Sequence, residues 1–164
     1  MEKAIVLRSG AAAPTLELAD DLYQLALWRW GMGDQEAGRD ILHRAVKTYE
    51  CVPQANTKIL GSFYRELGTA DYGMGRLDDA RESLHRAAAL LENTSAYAAG
   101  DAGALDEAAS SLYVLGLVER DSGNLTETQD NFRRAITIWE RSAEPGPYMR
   151  QCLEELSREL SGTG

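Results

Sequence analysis

The side chains that could do chemistry fall into three sets. Gly31-Met32-Gly33 and Gly73-Met74-Gly75 carry the first two glycines of a dinucleotide-binding loop, in which glycines let backbone amides approach a pyrophosphate. The third glycine is missing, with Glu36 and Asp78 in its place, and no strand pattern precedes either step. The glycines instead suit turns between paired helices, where a positive φ is needed. His43 and His85 stand at equivalent places in two similar segments, which raises the idea of a metal pair. Packed helices lie about 8–10 Å apart, and two histidines without carboxylates or thiols at i, i+4 spacing do not close a site. Cys51 and Cys152 follow no ligand or redox spacing and read as two reduced thiols. HExxH, GxSxG and P-loop signatures are absent. No catalytic residue, metal ligand or cofactor is expected, and the chain is not expected to be an enzyme.

The elements that position these residues recur. Ile41-Leu42-His43-Arg44-Ala45, Ser83-Leu84-His85-Arg86-Ala87 and Asn131-Phe132-Arg133-Arg134-Ala135 superpose, and each leads to a glutamate, Glu50, Glu92 or Glu140. A recurring pattern of this kind describes an array of one supersecondary unit, stacked so that each copy buries its neighbour's apolar face. Upstream the alignment adds Leu67-Gly68, Gly75, Leu77, Ala80, Leu84 and Ala87, matched by Leu115-Gly116, Gly123, Leu125, Thr128, Phe132 and Ala135. The first copy supplies Leu25-Ala26, Gly33, Gly38, Leu42 and Ala45.

These residues resemble the tetratricopeptide repeat (TPR), with its Leu-Gly pair, turn glycine, small residue early in the second helix and closing Ala. Ala26, Gly38 and Thr128 depart from that motif, and Glu replaces the closing Pro in every copy. The spacing is 42 residues from Leu25 to Leu67 and 48 from Leu67 to Leu115, against about 34 in the usual repeat. The longer period is similar to the 42-residue variant of kinesin light chains and related bacterial proteins. The resemblance implies an all-α, α-α superhelix (a TPR-like solenoid) of three helix pairs plus a C-terminal capping helix. The expected repeats are 14–53, 54–103 and 104–146, with a real loop at 93–103 and a capping helix and tail at 147–164. Residues 1–13 are either the tail of a preceding repeat helix, with Ala4 near the place of the repeated Ala, or an ordinary N-terminal stub.

Helices are expected over 15–31, 34–51, 56–73, 78–92, 105–121, 126–142 and 148–160, the last carrying an apolar stripe of Met149, Cys152, Leu153, Leu156 and Leu160. Pro14, Pro53, Pro145 and Pro147 all fall between them, as proline interrupts helix interiors. The chain's 164 residues suffice for one domain with a core. Its net charge of −9 disfavours nucleic acid, whose phosphates need a basic face. The short apolar run Ala4-Ile5-Val6-Leu7 is too short for a secretory signal or a membrane span, so a cytoplasmic protein with no membrane partner is expected. Arginine far outnumbers lysine, which suits a GC-rich bacterial genome.

Function must then lie on the surface of the array. The resemblance implies that first helices line a concave face, where residues at i, i+4 and i+7 make three stripes: Tyr23, Leu27 and Trp30; Arg65, Thr69 and Tyr72; Tyr113, Leu117 and Arg120. Tyr, Trp and Arg dominate binding hot spots because they combine large rigid area with a polar handle. The carboxylate clamp of the chaperone-binding branch is absent, since Tyr23, Leu27, Glu66, Ser110 and Val114 occupy its places. The expected ligand is a protein segment, a peptide or helix with apolar side chains, and an acidic group for Arg65 and Arg120. The expected role is a non-catalytic protein-interaction adaptor or scaffold, open to homo-oligomer formation. The alternative is a helical-repeat regulatory or sensing fragment of a larger bacterial regulator. Ala87→Leu is expected to be more damaging than Ala88→Leu, because the repeated Ala marks a close helix approach.

Overall fold

The computed structural model describes residues 14–53 and 55–142, together with Glu154 and Leu156. Its elements are α1 (Leu16–Gly31), α2 (Gln35–Glu50), α3 (Thr57–Gly73), α4 (Leu77–Glu92), the single turn α5 (Ser95–Ala98), α6 (Ala102–Asp121) and α7 (Leu125–Trp139). Among the described residues no strand occurs, and no helix is long and apolar enough to cross a membrane.

Helices α1, α3, α5 and α6 start where side chains satisfy the orphan amides of the first turn. Thr15 Oγ1 accepts from Leu18 N at 3.1 Å, Asn56 Oδ1 from Lys58 N at 2.9 Å, and Asp101 Oδ1 from Ala104 N at 2.9 Å. Asp101 explains why α6 begins at Ala102, ahead of the expected Leu105. The expected loop at 93–103 also holds α5, capped by Thr94. Asp34 precedes α2 but makes no capping hydrogen bond; its carboxylate pairs with Arg29 at 3.3 Å instead. The turns joining α1 to α2, α3 to α4 and α6 to α7 pass through Gly33, Gly75 and Gly123 at φ 84°, 73° and 83°. A side chain at these angles would strain the backbone, so the glycines serve the turns.

Three pairs result, α1 with α2, α3 with α4, and α6 with α7, and successive pairs pack through α2 on α3 and α4 on α6. The core has two parts. One joins Leu22, Leu25, Val46, Tyr49, Phe63, Tyr64 and Leu67 across the first two pairs. The other joins Leu84, Leu105, Leu112, Leu115, Phe132 and Trp139 across the last two. Tyr97 of α5 packs against both, so the insertion between the second and third pairs is stapled to the array. Leu156, helical and buried, belongs to the second part. The rest of the expected capping helix, like residues 1–13, lies outside the described residues. Ala88 is buried alongside Ala87, so exposure does not separate the two positions expected to differ; Ala89 is the exposed neighbour.

The close approach within each pair depends on where a glycine stands. A Cβ at Gly68 would meet Leu84 Cγ at 2.6 Å, and one at Gly116 would meet the Phe132 ring at 2.3 Å. The first pair has Ala26 at that place and compensates on the facing helix, where a Cβ at Gly38 would meet the Ala26 carbonyl oxygen and Trp30 Cε3, both at 3.2 Å. The two departures from the motif at Ala26 and Gly38 are thus one exchange.

Candidate functional site

That exchange shapes the surface. Between the first and second pairs opens a cleft of about 350 Å³, lined by Ala26, Leu27, Trp30, Gly31, Gly38, Leu42, Glu66, Thr69 and Ala70. Leu27, 43% exposed, and Trp30 form one wall from α1. Glu66, Thr69 and Ala70 form the other from α3, while Gly38 and Leu42 of α2 close the floor. The lining is mostly apolar, with Glu66 and Thr69 as its polar side chains. The arrangement can enclose an apolar side chain beside the Glu66 carboxylate.

Of the nine residues in the expected stripes, Leu27, Trp30 and Thr69 meet here. Tyr23 is half-buried and stacks on Phe63, ring centroids 4.6 Å apart and 3° from parallel. Burial first, then the nearby Glu66 carboxylate, raises the pKa of its hydroxyl. Arg65 pairs with Glu66, and Thr69 donates its hydroxyl to the Arg65 carbonyl at 2.8 Å. Tyr72 donates to Asp121 Oδ2 at 2.9 Å, and Arg120 Nε lies 3.3 Å from Asp121 Oδ1. Tyr113 leans on Phe132 and Trp139 at 5.9 and 6.1 Å, and Leu117 packs on the second part of the core. Arg65 and Arg120 therefore each already face a neighbouring carboxylate, which weakens the case for an acidic ligand group. His43 and His85 are both exposed, and no group of three metal-ligating side chains occurs among the described residues. A second hollow, lined by residues 55–58 and 93–96, is built on cap side chains whose oxygens are taken by backbone amides.

Gly38, Leu42, Glu66 and Ala70 were not among the expected residues. The available signal was Gly38, which broke the motif at a position filled by Ala80 and Thr128 in the other copies. A second feature also escaped the sequence: two ladders of ion pairs join successive pairs. Arg39 Nε reaches Asp71 Oδ1 at 2.7 Å, and at the equivalent place Arg81 Nε reaches Glu119 Oε1 at 2.7 Å. Further along, Arg86 lies 3.5 Å from Glu50 and Arg134 lies 2.8 Å from Glu92. Tyr64 donates to Glu50 and accepts from Arg86 at 2.8 Å. The repeated Arg and Glu that marked the copies are therefore partners across junctions.

No family model matches the chain, and no curated protein matches it. Solved structures do. BtubC (BKLC) from P. vanneervenii is similar over 89% of this chain at 19% identity and a TM-score of 0.71. Two structures of the nearly identical TPR-like repeats of a Podosopora anserina kinesin light chain cover 99% of it, at 15% identity and TM-scores of 0.76 and 0.74. The fold is a TPR-like helical repeat. This chain spans 57% of the BtubC chain and 75% of each of the other two. TPR-like scaffolds stack repeats into extended surfaces and commonly serve protein interaction.

Proposed function

We propose that this chain is a non-catalytic protein-interaction module that takes a peptide or helix of a partner along the face formed by α1, α3 and α6. The observation that carries this reading is the cleft between the first two pairs, where Trp30 and Leu27 stand partly exposed over a floor kept low by Gly38. Its size suits one apolar side chain as an anchor, the usual centre of a hot spot. The ligand continues past Thr69 toward Tyr72 and the third stripe, Tyr113, Leu117 and Arg120. Because Arg65 and Arg120 are balanced by Glu66 and Asp121, apolar area rather than charge supplies most of the affinity. The cytoplasm is the compartment we assign, since Cys51 is a free and exposed thiol and exposed thiols persist in reducing surroundings.

The test is selection of binders from a displayed peptide library, followed by fluorescence anisotropy on the winners. Trp30→Ala should weaken them by about 2 kcal/mol or more, and Tyr72→Ala by less, with helicity unchanged. Arg133→Ala, on the exposed side of α7 where it pairs with Asp130 at 3.2 Å, should have little effect. Dependence on Arg133 with both aromatics dispensable would mean that the opposite face binds.

A further inference from the structure

The junction that stays open differs from the closed one in two ways. Gly38 and Ala70 withhold carbon atoms that Ala80 and Val118 supply at the closed junction, and those omissions make room. Glu66 and Thr69 act differently. They put hydrogen-bonding groups where the closed junction carries Val114 and Leu117, so one end of the cleft is polar.

Those two groups can only accept. The Thr69 hydroxyl has given its proton to the Arg65 carbonyl oxygen at 2.8 Å, which leaves its lone pairs for a ligand. A carboxylate accepts at both oxygens, with about four lone-pair sites between them. Arg65 donates to Oε1 of Glu66, and among the described residues Oε2 accepts no hydrogen bond. Glu66 lines the cleft with its side chain 28% exposed, so a ligand reaches it without displacing Arg65. What it offers is acceptor capacity, and no unpaired charge is required. Trp30 turns its Cε3 edge to Gly38, which puts the indole N–H on the opposite edge, away from the floor.

The remaining walls and floor come from Ala26, Leu27, Trp30, Leu42 and Ala70. A matching ligand group has an apolar stem and a head that donates without accepting. Lysine and arginine both meet that description. Lysine meets it better: with Oε1 taken, the parallel acceptors that a guanidinium fork uses are not available, whereas an ammonium turns its donors freely. Reach agrees as well. Glu66 stands one turn before Ala70 on α3, about 5.4 Å along the axis, which the four-carbon lysine stem spans. The Trp30 ring adds a π surface that attracts cations, and the chain's net charge of −9 draws a basic segment toward it.

We infer that the cleft takes a lysine of a partner protein, with its stem between Leu27 and Ala70 over the Gly38 floor and its ammonium on Glu66 Oε2 and Thr69 Oγ1. This rests on the reading of the cleft as the peptide anchor, and it names the anchor. The methylenes supply the buried area, and the ammonium decides which residue is chosen.

The test begins with a displayed library of random peptides selected on the whole chain. Lysine should recur at one position among peptides that lose binding to Trp30→Ala. One such peptide, resynthesised with lysine, norleucine or acetyl-lysine at that position, is then measured by fluorescence anisotropy. Lysine should bind about tenfold tighter than norleucine, which keeps the stem without the donors, and acetyl-lysine should lose as much. Glu66→Gln should erase that preference, because an amide is a weaker partner for an ammonium and carries donors of its own. Arg65→Gln keeps the carboxylate and should preserve it. Norleucine equal to lysine, or a preference that survives Glu66→Gln, would overturn the lysine and leave a purely apolar anchor. Peptides indifferent to Trp30→Ala, or no peptides at all, would remove the cleft reading and the lysine with it. A dimer in sedimentation that Trp30→Ala splits would overturn it too, since a second copy would then fill the cleft.

Discussion

The two junctions between helix pairs use the same parts and reach opposite surfaces. Between the first and second pairs, the positions that face each other are Gly38, Glu66, Thr69 and Ala70, and a cleft remains. The equivalents between the second and third pairs are Ala80, Val114, Leu117 and Val118, all apolar and, apart from Val114, larger, and all packed on the core. Tyr72, the counterpart of Trp30, is tied to Asp121 rather than left over a cleft. A helical repeat opens a cleft by omission: methyl groups withheld at one junction leave the space that they fill at the next. The clamps beneath differ as well. Glu119 receives hydrogen bonds from Arg81 on one oxygen and Asn124 on the other, whereas Asp71 receives Arg39 on Oδ1 and leaves Oδ2 buried without a partner.

The largest effect should come from breaking the close approach inside a pair. Gly116→Ala drives a methyl group into the Phe132 ring and should lower stability by about 1–3 kcal/mol, with Gly68→Ala milder because the Leu84 side chain can rotate away. Gly38→Ala, at 3.2 Å from Trp30, should cost least of the three; thermal melts in that order check the series. An equal loss at all three would mean that the exchange of Ala26 and Gly38 has no structural meaning.

Next in size is conversion of the open junction into the closed type. Ala70→Val copies Val118 and should fill the cleft, so that selected peptides lose about tenfold in affinity or more while the melting temperature holds. Retained affinity would move the anchor away from the cleft.

The smallest effect should be electrostatic, and its sign should differ between the clamps. Burial raises the pKa of Asp71 despite the hydrogen bond from Arg39. The folded chain thus binds that proton more tightly than the unfolded one, and stability falls as pH rises from the ordinary carboxylate range toward the raised value. Burial acts upward on Glu119 too, but hydrogen bonds from Arg81 and Asn124 outweigh it and hold its pKa low. Its contribution is complete above the ordinary carboxylate range and is lost as pH falls through the lowered value. In melting curves taken from about pH 3 to 7, a range that spans carboxylate titration, Glu119→Gln should flatten the acid-side loss. Asp71→Asn should remove the opposing slope. Slopes of the same sign at both sites would show that the two clamps are equivalent after all.

Much of the fold could be read from local pattern, because the residues that make a repeat act on their neighbours in sequence. Leu67-Gly68, the turn glycines and the small Ala each fix a contact within one helix pair, a few turns apart. The boundaries that slipped were those governed by a cap, at Asp101, or by a short insertion, α5, where a single side chain outweighs periodicity. The site was only partly legible. Trp30, Leu27 and Thr69 were reachable from helical spacing, whereas Gly38 and Ala70 matter through what they leave empty, and an empty space has no sequence pattern.

The sequence by itself determined the all-helical repeat, the three pairs and the residues on each first helix, since these follow from 3.6-residue periodicity and local sterics. Only the tertiary structure decided which arginine of one pair meets which carboxylate of the next, and which of two similar junctions stays open. Those outcomes depend on side chains 32 to 49 residues apart coming within about 3 Å of each other. At that separation the chain's own spacing no longer constrains who meets whom; the stacking of one pair on the next does.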